Sequence, residues 1–177
     1  VVPLAEGFEE IEAVTIIDVL RRADVDVLIA GLSSRQVTGS HGITVQADAV
    51  ISEIDKDSFD AVVLPGGMPG SRYLKESPAV IELVKSVSQR GGYTAAICAA
   101  PVVLGYAGVL KGKRATCFPG NEKDLEGAIY TGAYVEVDGK VITGKGAGAS
   151  ILFSLEVVTS LVGREKADEL RKRMQVP

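Results

Sequence analysis

At 177 residues, 46% apolar and 24% charged, with no low-complexity stretch, the chain has the composition of one soluble globular domain over residues 1–177. Its net charge of −4, with lysine and arginine scattered, offers no face to nucleic acid, and Arg171-Lys172-Arg173 reads as a solvated helix end. Two distant cysteines, Cys98 and Cys117, make no disulfide framework, and one histidine, His41, leaves a metal without clustered ligands. A reducing, cytoplasmic setting is expected, with no metal. The longest apolar run, Ala95 to Leu110, is broken by Pro101 and two glycines and falls short of the ~20 residues that cross a bilayer. Neither a membrane association nor a targeting peptide is expected.

Val1 to Ala5 is the first predicted strand. From Glu10 to Arg22 the apolar residues Ile11, Val14, Ile17 and Leu20 recur every third position, with Ala13 and Ile16 widening the stripe, which predicts a helix packed on a sheet. Glu9, Glu10 and Glu12 fall in its first turn, where acids compensate the helix dipole. Glu12 also shares a face with Ile16 and so points inward, where burial would raise its pKa and make it a proton donor. Val25 to Ala30 predicts a second parallel strand. Gln36 to Val45 predicts a hairpin with His41 at its tip, to which no role is assigned.

Ala61 to Leu64 forms the core of a buried strand that ends in Pro65-Gly66-Gly67. Ligands in an open parallel sheet sit beyond strand carboxyl ends, and these glycines let N–H donors approach a developing oxyanion. A tight strand-to-helix connection would need the same glycines. A short helix over Met68 to Leu74 and a longer one over Pro78 to Arg90 follow.

Gly91 to Gly105 then predicts strand, abrupt turn and helix, with Cys98 at the turn. Tyr93 to Ile97 suits a strand buried on both faces, and Pro101 suits the first turn of a helix. Ala99 and Ala100 leave room around the sulfur. A thiol placed where free N–H groups meet the positive end of a helix is expected to have a lowered pKa and to be a thiolate at neutral pH. The hydrolase nucleophile elbow is built on the same bend. An inert buried cysteine fits the residues as well.

Arg114 to Cys117 predicts a further strand, and Asn121 to Gly127 about one helical turn. Tyr134 to Val137 and Lys140 to Thr143 predict a hairpin around Asp138-Gly139. A buried helix over Ala149 to Val162 and a closing helix over Arg164 to Met174 end the chain. Gly144, Gly146 and Gly148 have no following strand with an acid about twenty residues on, so a dinucleotide fingerprint is rejected and close helix packing is expected instead. Neither a phosphate-loop sequence nor a serine–histidine arrangement occurs.

Four segments together, Gly7-Phe8-Glu9-Glu10-Ile11-Glu12, Leu64-Pro65-Gly66-Gly67, Ala95-Ala96-Ile97-Cys98-Ala99-Ala100-Pro101 and Thr143 to Gly148, resemble the DJ-1/ThiJ/PfpI superfamily. The resemblance is to the branch of the parkinsonism-associated deglycase and its bacterial relatives, and it spans essentially the whole chain in order. It implies an α/β fold, a flavodoxin-like three-layer sandwich with a mostly parallel central sheet, and a homodimer. It aligns Cys98 with the reactive cysteine and Glu12 with a protonated glutamate that hydrogen-bonds it. The N–H groups of Gly67 and Ala99, with Gly66 beside them, align with the anion pocket.

One departure is Phe118, where many members carry a histidine, so base work is expected to fall on Glu12, water or substrate. Cys117 is expected to be a core residue rather than a second redox thiol. The resemblance implies cofactor-independent conversion of dicarbonyls such as methylglyoxal, or removal of their early adducts, under carbonyl and oxidative stress. Its rival is a redox-sensing chaperone whose cysteine becomes a sulfinate. A peptidase is weaker, since such relatives carry histidine where this chain has Ala99.

Overall fold

The computed structural model describes residues 1–177. Strands β1 (Val2–Leu4), β2 (Ile29–Gly31) and β5 (Ala49–Val50) run parallel in the order β1-β2-β5. Strands β6 (Ala61–Leu64), β7 (Tyr93–Ile97), β11 (Val141–Gly144) and β10 (Val135–Asp138) form the order β10-β11-β7-β6, with only β10 antiparallel. The Val1 N–H donates to Ala61 O at 2.8 Å and Val63 N–H donates to Val1 O at 3.0 Å, the ladder of a parallel pair, so the two sheets join edge to edge at β1 and β6. The hairpin β3 (Gln36–Thr38) and β4 (Thr44–Gln46) and the pair β8 (Arg114–Ala115) and β9 (Ile129–Tyr130) stand apart from this sheet.

Alternation along the strands separates two cores. Val63, Ala95, Ile97 and Ile142 face one side, against α1 (Glu10–Arg22), α5 (Ser150–Leu161) and α6 (Arg164–Arg173). Val62, Leu64, Ala96 and Val141 face the other, against α2 (Gly70–Glu76), α3 (Pro78–Gln89) and α4 (Pro101–Tyr106). Strands apolar on both faces and covered by helices make the flavodoxin-like three-layer sandwich.

Local chemistry explains most boundaries. Ser77 caps α3 through its hydroxyl, which accepts the Val80 N–H at 3.4 Å, with Pro78 in the first turn. The span expected for α1 matches the structure, but its buried face is rotated. Ala13, Ile16, Ile17 and Leu20 are inside, whereas Ile11 and Val14 are 59% and 48% exposed. That rotation carries Glu10 and Glu12 into the protein.

Elsewhere the structure departs from expectation by small shifts. Residues 25–28 precede β2 rather than belonging to it. Asp138 pairs with Val141, so the β10–β11 turn is Gly139-Lys140 rather than Asp138-Gly139. Cys117 lies past the end of β8 yet is fully buried. The predicted all-round burial of α5 fails at Ile151, which is 43% exposed.

Candidate active site

The site forms at the carboxyl ends of β6 and β7, where the first turn of α1 reaches over them. Cys98 follows β7 directly and adopts φ 64, a left-handed conformation rarely held by a residue with a side chain. Its backbone is pinned on both sides. The Cys98 N–H donates to Gly144 O at 2.9 Å, and the Phe118 N–H donates to Cys98 O at 2.8 Å. The elbow therefore hangs from β11 and from the segment after β8.

Gly66 and Gly67 close the second side. A Cβ at Gly66 would lie 2.7 Å from the Cys98 Cβ and 2.8 Å from Glu12 Oε2, so only glycine lets the three groups meet. Gly67 holds φ 93, and a Cβ there would strike the Glu9 backbone. The N–H groups of Ala99 and Gly67 lie on the Cys98 side of the pocket and favour the charged form of its thiol. All five residues singled out from the sequence, Glu12, Gly66, Gly67, Cys98 and Ala99, thus converge at one point.

Glu12 is fully buried. Its Oε2 accepts the Gly66 N–H at 2.7 Å, while Oε1 has no hydrogen-bond partner and the carboxyl group faces the sulfur. Burial raises Glu12 to about 7, the Gly66 N–H and the thiol pull the other way, and the charge of Glu9 adds to the rise. Glu9 caps α1 by accepting the Glu12 N–H at 2.7 Å.

The lowered thiol pKa expected from the helix end is not what the pocket produces. Burial, then the charge of Glu12 and its hydrogen bond, push Cys98 up to about 12, against the Ala99 and Gly67 N–H groups. The helix after the elbow is short, Pro101–Tyr106, and starts beyond Ala100, so its dipole does not offset desolvation.

Sequence reasoning missed Glu10 and His41. Glu10 is buried, and its Oε1 accepts the N–H of His41 at 2.6 Å and of Ile43 at 3.4 Å. Its Oε2 meets His41 Nδ1 at 2.8 Å and the Ser40 hydroxyl at 3.3 Å. Burial alone would raise this carboxyl, but the His41 side chain and the surrounding N–H groups hold it at about 2. His41 is raised in turn by its bond to Glu10. The signal available in the sequence was the polar Gly39-Ser40-His41-Gly42 tip, whose N–H groups need an acceptor. Ligand atoms of Glu9, Glu10 and His41 lie within 4.8 Å of one another, but both Glu10 oxygens are committed to the hairpin. The cluster is a clamp between α1 and β3–β4.

Residues 1–160 match the sequence model described as the DJ-1/PfpI family. This chain belongs to the DJ-1/PfpI family. Among relatives in that family, protein DJ-1 homolog B of Arabidopsis thaliana is 42% identical over 96% of this chain but only 39% of its own length. The chain spans less than half of the two Arabidopsis relatives that it matches. Protein dj-1beta of Drosophila melanogaster is 39% identical, over 98% of this chain and 94% of that protein. The crystal structure of that fly DJ-1beta superposes with a TM-score of 0.93 at 39% identity, covering 99% of this chain and 96% of that one. A Caenorhabditis elegans relative named glutathione-independent glyoxalase DJR-1.2 is 37% identical over 94% of this chain and 90% of its own.

Proposed function

We propose that the protein is a cysteine-dependent glyoxalase or deglycase, independent of cofactors, that acts on methylglyoxal-type dicarbonyls or their early adducts. One observation carries the reading. A cysteine in a left-handed elbow, beside the Ala99 and Gly67 N–H groups that favour its charged form, faces a buried carboxyl group raised to about 7. The name of the worm glyoxalase relative points to the same chemistry.

Each step uses groups of this chain and water. The Cys98 sulfur bonds to the aldehyde carbon of methylglyoxal while Glu12 takes the S–H proton and returns it to the carbonyl oxygen, giving a hemithioacetal. The Gly67 and Ala99 N–H groups stabilise the oxygen while it is charged. Glu12 then removes the hydrogen on that carbon as a proton and delivers it to the neighbouring ketone carbon, while the hydroxyl proton of the hemithioacetal passes to the ketone oxygen. The first carbon is oxidised and the second reduced, which leaves a 2-hydroxy thioester. Water cleaves the thioester to lactate and restores the thiol.

The purified protein is expected to form lactate from methylglyoxal, and Cys98→Ser to form none. Absence of lactate, with Cys98 gaining two oxygens under mild peroxide, would replace the enzyme by a redox sensor.

The working form in this reading is a cytoplasmic homodimer. Ile11, Val14, Ile43 and Ile151 are exposed apolar residues, and the helices α1 and α5 that carry three of them pack side by side. Two free cysteines suit a reducing compartment, and no helix is long and apolar enough to cross a membrane. Sedimentation equilibrium is expected to give twice the chain mass, and a monomer mass would remove this part.

A further inference from the structure

The mechanism leaves the outer wall of the Cys98 pocket without a task. The segment after β8, the loop before β10 and the segment after β11 meet there. The Phe118 N–H holds the Cys98 carbonyl, and the Lys145 N–H donates to Tyr134 O at 3.0 Å. The Phe118 ring lies over Gly146, where an added Cβ would touch it at 3.4 Å. At Gly148 an added Cβ would fall 2.8 Å from the Tyr134 hydroxyl oxygen. Bare backbone at Gly148 thus makes room for the Tyr134 ring, whereas the Phe118 ring rests over Gly146 at ordinary contact distance.

Neither ring is in the core. Phe118 is 50% and Tyr134 54% exposed, although both stand on backbone fixed to the sheet that carries the thiol. Exposed aromatic surface beside a reactive group marks a place for an apolar partner. The Phe118 ring itself offers neither charge nor a hydrogen-bonding group. It cannot reward a polar substituent, while a flat apolar one can lie on the ring.

We infer that Phe118 and Tyr134 form a specificity wall that favours dicarbonyls bearing an aryl or bulky apolar substituent over methylglyoxal. The inference rests on the glyoxalase reading and deepens it. With an aryl glyoxal the chemistry balances as before. The aldehyde carbon is oxidised, the aryl ketone carbon takes its hydrogen, and water supplies the oxygen of the aryl hydroxy acid. The wall acts in binding, so it is expected in KM rather than in kcat.

The test compares phenylglyoxal with methylglyoxal as substrates of the full chain. The wild type is expected to show the higher kcat/KM for phenylglyoxal. Phe118→Ala is expected to lower that preference about tenfold through KM, the scale of one lost apolar contact surface. Tyr134→Ala is expected to lower it less, and methylglyoxal turnover is expected to persist in both. Val162→Ala, an exposed apolar change outside the wall, serves as the control. A wild type that converts methylglyoxal with no preference for phenylglyoxal, or a preference that survives Phe118→Ala, overturns the inference and leaves the glyoxalase reading standing. A wild type that converts neither substrate overturns the glyoxalase reading itself.

Discussion

Glu10 and Glu12 leave the same turn of α1, and the protein hides both of them from solvent. One is held at about 2 and the other is raised to about 7. Burial penalises both charges, so the difference lies in what meets the oxygens. Glu10 is ringed by two backbone N–H groups, a hydroxyl and an imidazole supplied by the β3–β4 hairpin. Glu12 has one N–H, from Gly66, a bare second oxygen and a thiol in front of it. Donor supply, rather than depth, decides which carboxylate is a structural anion and which is an acid–base group near neutral pH.

That contrast can be broken most severely at Glu12. Glu12→Gln is expected to lower dicarbonyl turnover by about 10²–10⁴-fold, the range for loss of a general base, in steady-state assays. In the wild type kcat/KM is expected to rise as pH passes through about 7, because the carboxylate is the form that takes the thiol proton. This limb should be absent from the variant. A rate unchanged in Glu12→Gln would remove Glu12 from the chemistry.

The same substitution sharpens the contrast in stability. Because the folded pKa of Glu12 is raised from 4.5, the stability it contributes is fully present below 4.5 and lost as pH rises through about 7. Glu12→Gln cannot ionise, so chemical denaturation at pH 8 should find it more stable than wild type by about 3 kcal/mol, the shift from 4.5 to about 7 converted at 1.36 kcal/mol per pH unit. At pH 4 the two should agree.

Glu10→Gln should behave with the opposite sign. The Glu10 pKa is lowered from 4.5, so its contribution is present above 4.5 and lost as pH falls toward about 2. Replacing it leaves hairpin N–H groups poorly matched, and the variant should lose about 1–3 kcal/mol at neutral pH, with the loss shrinking in acid. The smallest effect is expected for His41→Ala, since the imidazole is solvent-exposed. Its destabilisation should be clearest below pH 6.5 and fade as pH climbs through the raised His41 value. Denaturation midpoints across pH would expose an error in either sign.

Much of the fold was legible because its signals are local. Ser77-Pro78 marks the start of α3, small residues flank Cys98, and Gly66-Gly67 ends a run of apolar β-formers. Of the two-residue strands, β8 fell within the strand expected over Arg114 to Cys117, whereas β5 and β9 were not legible. β9 gains its order only by pairing with β8, and β5 only by pairing with β2, partners far away in sequence. The inward aim of Glu12 could be read from its spacing to Ile16. The burial of Glu10 could not, since the hairpin that covers it arrives from residues 36–46.

The amino-acid sequence by itself determined the α/β class, the elbow at Cys98 and the acids in the first turn of α1, because periodicity, glycine and proline act over a few neighbouring residues. Only the tertiary structure decided which donors meet those acids and how far the thiol is desolvated. Desolvation and hydrogen-bond donors are set by segments brought together across the chain, and at Cys98 they outweighed the short helix that the local pattern had favoured.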